Sequence, residues 1–337
     1  MRKISTALMI GAVASGIATA GFAQEQVKMA TITPGSSAYL VMTSMASSAN
    51  INQNKFEVLV DATGSPTKDM VDAALGRLDM ILTTPLNMEH MKNGTAMYQD
   101  LDSAPALSQN LGLVYWFPAG AIHTVVHADT GMARLDDIRG QKVFMGPLGS
   151  EAFNASRAWI FAATGLDAGS DYEVVDSTWG AALQGFQNRE FEVHISAGIP
   201  PFAQVEKLAE TANVRILGLT RAEASVESDP LNRAFGEIGR TRDVIPAAAY
   251  GDKVINSEDV YAMGTTVGVV ARMDLSEEAV YEITKAFWDN LPKLTEDAPY
   301  LGSLTPDAAF AAENVALHPG AARFYKEAGW KIPRALR

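Results

Sequence analysis

A regular alternation of strand-like and helix-like segments is the feature that most restricts the fold of this chain. Runs rich in β-branched residues are separated by longer segments with apolar residues every three or four positions, the spacing of an amphipathic helix. In the first part of the chain the predicted strands are 27–32, 56–60 and 80–82, and the predicted helices are 38–48 and 67–78. This βαβαβ order predicts a mostly parallel sheet, with ligands beyond the carboxyl ends of its strands.

A second block continues the same alternation. Its predicted strands are 122–128, 142–145, 172–175, 192–195 and 214–217, and its predicted helices are 151–164, 181–188 and 203–211. The segment 225–259 is polar and poorly periodic, so no element is assigned there. Near the C-terminus, a strand at 267–272 leads into a helix at 275–291, and Asp274 and Glu277 have the spacing of a capping box.

Two similar segments suggest how the blocks are joined. Residues 124–129 and 267–272 are both β-branched runs followed by a polar turn, as expected for two strands that cross between domains. We therefore predict an α/β protein of two lobes joined by crossover hinge strands. Lobe 1 is discontinuous and comprises 24–125 plus 268–337, and lobe 2 comprises 126–267.

The N-terminus has the layout of a cleaved secretory signal. Arg2 and Lys3 precede an apolar stretch and then small residues, which predicts a signal peptide over 1–23, with cleavage after Ala23 or, alternatively, after Ala20. The sequence contains no cysteine, so it has no disulfide and no thiol for a lipid anchor. These features predict a freely diffusing, non-lipidated periplasmic protein, expected to be monomeric.

The charge and the motifs exclude several classes of function. A formal net charge of -12 argues against binding to nucleic acid and to anionic membranes, and no later apolar segment is long enough for membrane insertion. No P-loop, nucleophile elbow or zinc-protease motif is present. His123 and His127 would lie roughly 13 Å apart on a strand, too far for one metal ion. We therefore expect no catalytic residues, no metal and no cofactor.

Three turns rich in glycine and serine mark candidate binding sites. The turns 33–37, 63–67 and 146–150 each follow a predicted strand and precede a predicted helix. A helix N-terminus offers unpaired N–H groups and a positive dipole end, so each turn is a possible cradle for an anion. The alternative is that these residues only form tight turns and helix caps.

Further candidates lie near the same predicted cleft. Tyr39, Trp179 and Tyr250 are aromatic candidates for its wall, or core residues instead. Arg157 is the one cation close to a predicted cradle, with an ion pair to Glu151 or to the other lobe as the alternative. The full predicted ligand-binding set is Gly35, Ser36, Ser37, Tyr39, Ser65, Thr67, Thr83, Gly149, Ser150, Arg157, Thr178, Trp179, Ala197, Gly198, Pro200 and Tyr250.

Several motifs resemble those of the TAXI-type extracytoplasmic receptors of tripartite (TRAP) transporters. The segments that carry this resemblance are Gly64-Ser65, 76–79, 125–131, 135–140, 143–150, 197–200, 266–268 and 317–329. The chain departs from that pattern in its first loop, which has fewer glycines, and at Tyr250-Gly251, which stands in place of a Tyr-Pro-Gly sequence and lacks its proline.

The resemblance implies a fold and a function. It implies a type II periplasmic-binding-protein fold that closes on a small carboxylate, such as glutamate or 2-oxoglutarate, and delivers it to TRAP membrane permease subunits driven by an ion gradient. It also implies that Gly35 to Tyr39, Ser65, Thr67, Gly149, Ser150 and Ala197 to Pro200 form the ligand shell. Two alternatives stay open: a binding protein that reports to a signalling partner, and an enzyme that uses the same cleft.

Overall fold

A computed structural model describes residues 24–62 and 64–337 of the chain. The predicted signal peptide, 1–23, lies outside the described residues, as does Thr63 of the second turn. The ten strands are β1 (Glu25–Thr31), β2 (Phe56–Ala62), β3 (Met80–Thr83), β4 (Leu111–His127), β5 (Lys142–Phe144), β6 (Glu173–Val174), β7 (Val193–Gly198), β8 (Val214–Leu217), β9 (Arg240–Ile245) and β10 (Val260–Arg272).

Helices separate most of these strands. They are α1 (Ser37–Asn52), α2 (Pro66–Ala74), α3 (Pro85–Asn93), α4 (Ala104–Ser108), α5 (Glu151–Thr164), α6 (Trp179–Gln187), α7 (Ala203–Leu208), α8 (Arg221–Ala224), α9 (Asp229–Gly236), α10 (Glu277–Asp297), α11 (Pro306–Ala309) and α12 (Pro319–Glu327). No helix in the described part of the chain is long and apolar enough to cross a membrane.

All ten strands belong to one mixed sheet. Its order is β2-β1-β3-β10-β4-β7-β5-β6, with β8 paired to β4 and β9 paired to β10. The outer groups β2-β1-β3 and β7-β5-β6 are parallel, whereas β10 and β4 run antiparallel to each other and to the strands beside them. The prediction of a mostly parallel sheet was therefore wrong for its centre, where two long strands run against their neighbours.

The buried apolar residues form two clusters rather than one. The first draws on residues between Val27 and Ala119 and between Val267 and Leu336, and the second on residues between Ala121 and Met263. We propose that each cluster is the core of one lobe. On this proposal, β4 and β10 are the two strands that pass between the lobes, close to the predicted boundaries.

A glycine occupies the crossing point of β4. Gly120 has φ +92°, a left-handed conformation that disfavours other residues, and a Cβ there would lie 2.1 Å from the Gly198 carbonyl oxygen. The backbones of β4 and β7 therefore approach more closely than any side chain would allow.

Several element boundaries depart from the predictions; for example, β10 begins at Val260, seven residues before its predicted start, and α10 continues to Asp297. Helix α2 ends at Ala74 rather than at 78, because Gly76 adopts φ +75° just after it. Strand β4 begins at Leu111, eleven residues before its predicted start, since it is buried along almost its whole length and lacks alternation. The unassigned segment 225–259 holds α9 and β9. Ser276 caps α10, while Asp274 pairs with Arg272 instead.

Candidate functional site

A cavity of about 150 Å³ lies between the two apolar clusters. It is bordered by the ends of strands and the starts of helices from both halves of the molecule. Its lining residues are Ile32, Thr33, Pro34, Ser36, Ala38, Gly64, Pro66, Thr67, Leu82, Thr83, Thr84, Asn87, Ala119, Ile122, Ser150, Glu151, Ala152, Ala155, Ser156, Trp179, Ser196, Ala197, Gln204, Thr265 and Val267. An apolar cavity of about this size is enough to hold a benzene-sized molecule.

Five helices of nine residues or more begin at this cavity, and the short helix α7 adds Gln204 to its wall. The first turns of α1, α2, α3, α5 and α6 each contribute lining residues, among them Ser36, Thr67, Thr84, Ser150 and Trp179. Because helix N-termini carry free N–H groups and a partial positive charge, their convergence makes the cavity favourable for negative charge.

Several serine and threonine hydroxyls at this cavity serve their own helices. The hydroxyl oxygens of Ser36, Thr84, Ser150 and Thr178 accept hydrogen bonds from N–H groups in the first turns of α1, α3, α5 and α6, at 2.9 to 3.4 Å. Ser36 also donates its hydroxyl to the Thr33 carbonyl at 3.0 Å. Helix capping therefore accounts for these hydroxyls, as the alternative interpretation of the turns expected.

A methionine sulfur orients two polar side chains of the lining. The Met70 sulfur accepts from the Thr83 hydroxyl at 2.8 Å and from the Asn87 amide nitrogen at 3.2 Å. Tyr98 donates to the same sulfur at 3.2 Å. With its nitrogen engaged there, the Asn87 carboxamide is left with its oxygen unpaired.

Two buried polar atoms of the cavity lack hydrogen-bond partners among the described residues. Asn87 is 1% exposed and Ser196 is 4% exposed, and neither Asn87 Oδ1 nor Ser196 Oγ has a hydrogen-bond partner in the described part of the structure. An unsatisfied buried polar group costs about 1–3 kcal/mol. Because both residues line the same cavity, one from each apolar cluster's side, a bound molecule with a donor and an acceptor would satisfy them.

The cavity wall contains one charged residue. Glu151 begins α5 and pairs with Arg240, whose side chain is almost fully buried. Burial raises the pKa of Glu151, and the Arg240 guanidinium opposes that shift. No lysine, arginine or histidine is among the lining residues described. Any negative charge on a ligand would therefore be met by N–H groups and helix dipoles.

A hydrogen-bonded chain fixes the loop that follows β7. His123 is completely buried, and burial lowers its pKa to about 4, so the imidazole is neutral. Its Nδ1–H donates to the Ala121 carbonyl at 2.8 Å, and its Nε2 accepts from the Tyr250 hydroxyl at 2.6 Å. The Tyr250 oxygen accepts in turn from the Phe202 N–H at 3.1 Å.

The predicted site residues divide into two groups. Those that line the cavity are Ser36, Thr67, Thr83, Ser150, Trp179 and Ala197. Those that do not line it are Gly35, Ser37, Tyr39, Ser65, Gly149, Arg157, Thr178, Gly198, Pro200 and Tyr250. The structure thus brings together residues from all three predicted turns, since Gly64 and Pro66 of the second region are also in the wall.

Four of the predicted site residues outside the cavity wall make other contacts in the structure. Arg157 is exposed and binds Asp167 through Nε and Nη2 at 3.1 and 2.8 Å, so neither a cleft position nor an ion pair to Glu151 is found. Ser37 accepts from the Ile199 N–H at 3.0 Å. Gly198 is packed under Phe202, whose ring a Cβ would meet at 2.2 Å. Tyr250 belongs to the hydrogen-bonded chain with His123.

Some lining residues were missed at the level of sequence. Asn87 and Thr84 lie at the start of α3, and the sequence signal that indicates this helix start is Thr84 followed by Pro85. Thr265 and Val267 come from β10, which enters the cavity wall because it is antiparallel to β3 and β4. No local signal indicates that contact.

A family model described as the NMT1-like family matches residues 29–329. The chain belongs to the NMT1-like family. Among solved structures, this family member resembles the periplasmic binding protein BugD, with 14% identity over 92% of this chain and 99% of that one and a TM-score of 0.54. The two share the type II periplasmic-binding-protein fold, with α/β lobes joined by crossover strands.

Two more distant likenesses have lower structural similarity. The alkanesulfonate-binding protein SsuA from Xanthomonas axonopodis pv. citri, bound to MOPS, is 13% identical over 90% of this chain and 85% of that one, with a TM-score of 0.49. The periplasmic ectoine-binding protein of the TeaABC TRAP transporter of Halomonas elongata is 13% identical over 90% of each chain, with a TM-score of 0.44.

Proposed function

We propose that this chain is a periplasmic solute-binding receptor that captures a small carboxylate in the cavity between its lobes. The observation that carries the proposal is the convergence of five helix N-termini on one cavity, where two buried polar atoms, Asn87 Oδ1 and Ser196 Oγ, have no partner among the described residues. Helix N-termini bind carboxylate and phosphate groups without any basic side chain. Ligand classes consistent with the size of the cavity are glutamate-like and 2-oxoglutarate-like dicarboxylates and related organic anions.

We further propose that the protein delivers this solute to the membrane permease of a TRAP transporter. The resemblance to TAXI-type receptors supports the choice of a TRAP permease, whereas the fold and the family assignment support the more general role of a solute-binding protein. In this mechanism the solute selects a closed arrangement by contacting both lobes, and the permease recognises that arrangement. The receptor acts as a monomer in the periplasm.

The wall of the cavity also supports a binding role rather than catalysis. Its one charged group, Glu151, is committed to Arg240. The lining contains no histidine, lysine or tyrosine that would act as a base or as an activated nucleophile. We therefore propose that the bound solute is released unchanged.

A thermal-shift screen tests this proposal. The panel contains small monocarboxylates, dicarboxylates, amino acids and neutral compounds of the same size. A solute at about one hundred times its dissociation constant stabilises the folded protein by about 2.7 kcal/mol. We expect stabilisation by one or a few carboxylates. Stabilisation by neutral compounds alone would contradict the proposed ligand class, and turnover of the stabilising solute would contradict the binding role.

A further inference from the structure

A second cavity lies on the face of the second apolar cluster, away from the cleft. It encloses about 230 Å³ and is lined by Trp159, Leu219, Arg221, Ala224, Ser225, Phe235, Arg242, Asp243, Val244, Tyr261 and Ala262. None of these residues lines the first cavity. They come from α5, α8, α9, β9, β10 and the segment after β8, so the cavity is built by several elements rather than by one loop.

Two arginines at this second cavity have no carboxylate partner. Arg221 donates from Nε to the Tyr261 hydroxyl at 2.9 Å, and Arg242 donates to Asn232 Oδ1 at 3.1 Å. Neither forms an ion pair with a residue in the described part of the chain. The neighbouring Glu223 is engaged by Arg134 at 2.9 Å. In a chain of net charge -12, the lining of this cavity therefore holds two guanidinium groups without an ion pair among the described residues, against the single carboxyl group of Asp243.

Most of the remaining lining residues are aromatic or apolar. The Arg242 guanidinium lies over the Phe235 ring at 4.1 Å, and Leu219 and Ala262 are buried at the cavity. Trp159 is 0% exposed, and its indole N–H has no acceptor among the described residues. Asp243 is the one carboxyl in the lining. It accepts from the Thr241 hydroxyl at 2.8 Å, and burial raises its pKa.

We propose that this second cavity is an accessory binding site for a small aromatic carboxylate. The planar guanidinium groups of Arg221 and Arg242 match the geometry of a carboxylate, with which arginine forms paired hydrogen bonds. The cavity volume of about 230 Å³ is sufficient for one ring beside Leu219, Phe235 and Tyr261, because a cavity of about 150 Å³ already holds benzene. The unpartnered Trp159 N–H supplies one further donor for an anion.

Calorimetric titration of the full-length secreted protein with benzoate tests this site. We expect saturable binding with a dissociation constant below about 1 mM. The double variant Arg221→Gln/Arg242→Gln should weaken binding at least ten-fold. Arg233→Gln, an exposed arginine on α9 outside the lining, is the matched control and should bind like the wild type.

A cleft variant separates this site from the one proposed above. Asn87→Leu alters only the first cavity, so benzoate binding should persist in it if the accessory site is real. Loss of benzoate binding in Asn87→Leu, with binding retained in the double arginine variant, would place benzoate in the cleft and overturn the proposal. Absence of saturable binding to the wild type would overturn it as well. Absence of binding would leave the thermal-shift screen with cleft solutes unaffected, whereas benzoate binding in the cleft would overturn only the accessory site and would agree with the proposed cleft site.

Discussion

At the scale of single residues, the cavity combines groups that are fully satisfied with groups that are not. The cap hydroxyls of Ser36, Thr84 and Ser150 are bonded within their own helices, whereas Asn87 Oδ1 and Ser196 Oγ lack partners. The first set maintains the helix N-termini that face the solute. The second set is available to contact the solute directly, so substitutions in the two sets should have different consequences.

Replacing Ser150 with alanine should lower both stability and affinity. Loss of an N-cap costs about 0.5–2 kcal/mol, and the exposed N–H groups of α5 would shift at the cavity wall. Ser276→Ala removes the equivalent cap from α10, which does not reach the cavity, and should lower stability alone. Denaturant unfolding of both variants measures the loss of stability, and solute titration measures the loss of affinity. Unchanged affinity in Ser150→Ala would show that this turn is not part of the site.

His194 should make the fold sensitive to acid. It is 0% exposed beside Phe144, neither ring nitrogen has a partner in the described structure, and burial lowers its pKa to about 3. Below the unfolded-state pKa of 6.5, the unfolded chain takes up a proton that the folded chain does not. Stability is therefore lost as the pH falls through 6.5.

His194→Leu should remove the loss of folding stability that His194 causes at acidic pH. Relative to the wild type, the variant should gain about 2 kcal/mol of unfolding free energy between pH 7 and pH 5. At pH 7 it should be neutral or stabilising, because an apolar side chain replaces an unsatisfied polar one. Urea unfolding at the two pH values measures the difference. Equal changes with pH in both proteins would contradict the buried neutral state of His194.

At the scale of elements, the sequence predicts those helices and strands whose ends are set by nearby residues such as caps and glycines. The predicted helix 151–164 coincides with α5, because Ser150 caps its start and Gly165 adopts φ +74° at its end. The predicted strand 214–217 coincides with β8. The turns that reach the cavity were found for the same reason, since each precedes a capped or proline-started helix.

The pairing of strands that are distant in the sequence could not be predicted, because no local pattern indicates it. The first half of β4 is buried on both faces and so shows no alternation, and the antiparallel entry of β10 brings Thr265 into the cavity wall without any local signal. Likewise, the spacing of Arg157 in α5 suggested a cation near the cleft, but the position of Asp167 determines where that side chain points.

The crossing of β4 should depend on Gly120. Gly120→Ala combines a positive φ with a Cβ that would lie 2.1 Å from the Gly198 carbonyl oxygen, so we expect destabilisation beyond about 3 kcal/mol. Gly131→Ala is the control, because Gly131 has φ +76° but no atom within 4 Å of the added Cβ. It should cost only the backbone strain of about 1–2 kcal/mol. Equal losses in thermal unfolding would rule out the close approach at Gly120.

At the scale of the whole molecule, contacts between the two sides of the cleft connect binding to shape. The hydrogen bond from the Ile199 N–H to Ser37 Oγ joins the start of α1 to the loop after β7, across the two apolar clusters. That loop is held in place by Tyr250 and His123. A solute that contacts both sides of the cavity would therefore stabilise the same closed arrangement as the hydrogen bond between Ile199 and Ser37.

Ser37→Ala should weaken solute binding although residue 37 does not line the cavity. The lost hydrogen bond is worth about 0.5–1.5 kcal/mol, so the dissociation constant should rise by about two-fold to ten-fold. Ser48→Ala removes a buried hydrogen bond to Ala286 at 2.8 Å on one side of the cleft. That control should reduce stability and leave affinity unchanged. Equal affinities of Ser37→Ala and the wild type would contradict the proposed link between closure and binding.

The central claim is that the cavity between the two apolar clusters is the solute site. Calorimetric titration of the most stabilising solute from the screen into the wild type, Asn87→Leu and Ser196→Ala measures it most directly. We predict 1:1 binding to the wild type and a loss of about 1–3 kcal/mol in each variant, which is about five-fold to 150-fold in affinity. Undiminished affinity in both variants, with their folds intact, would contradict the claim.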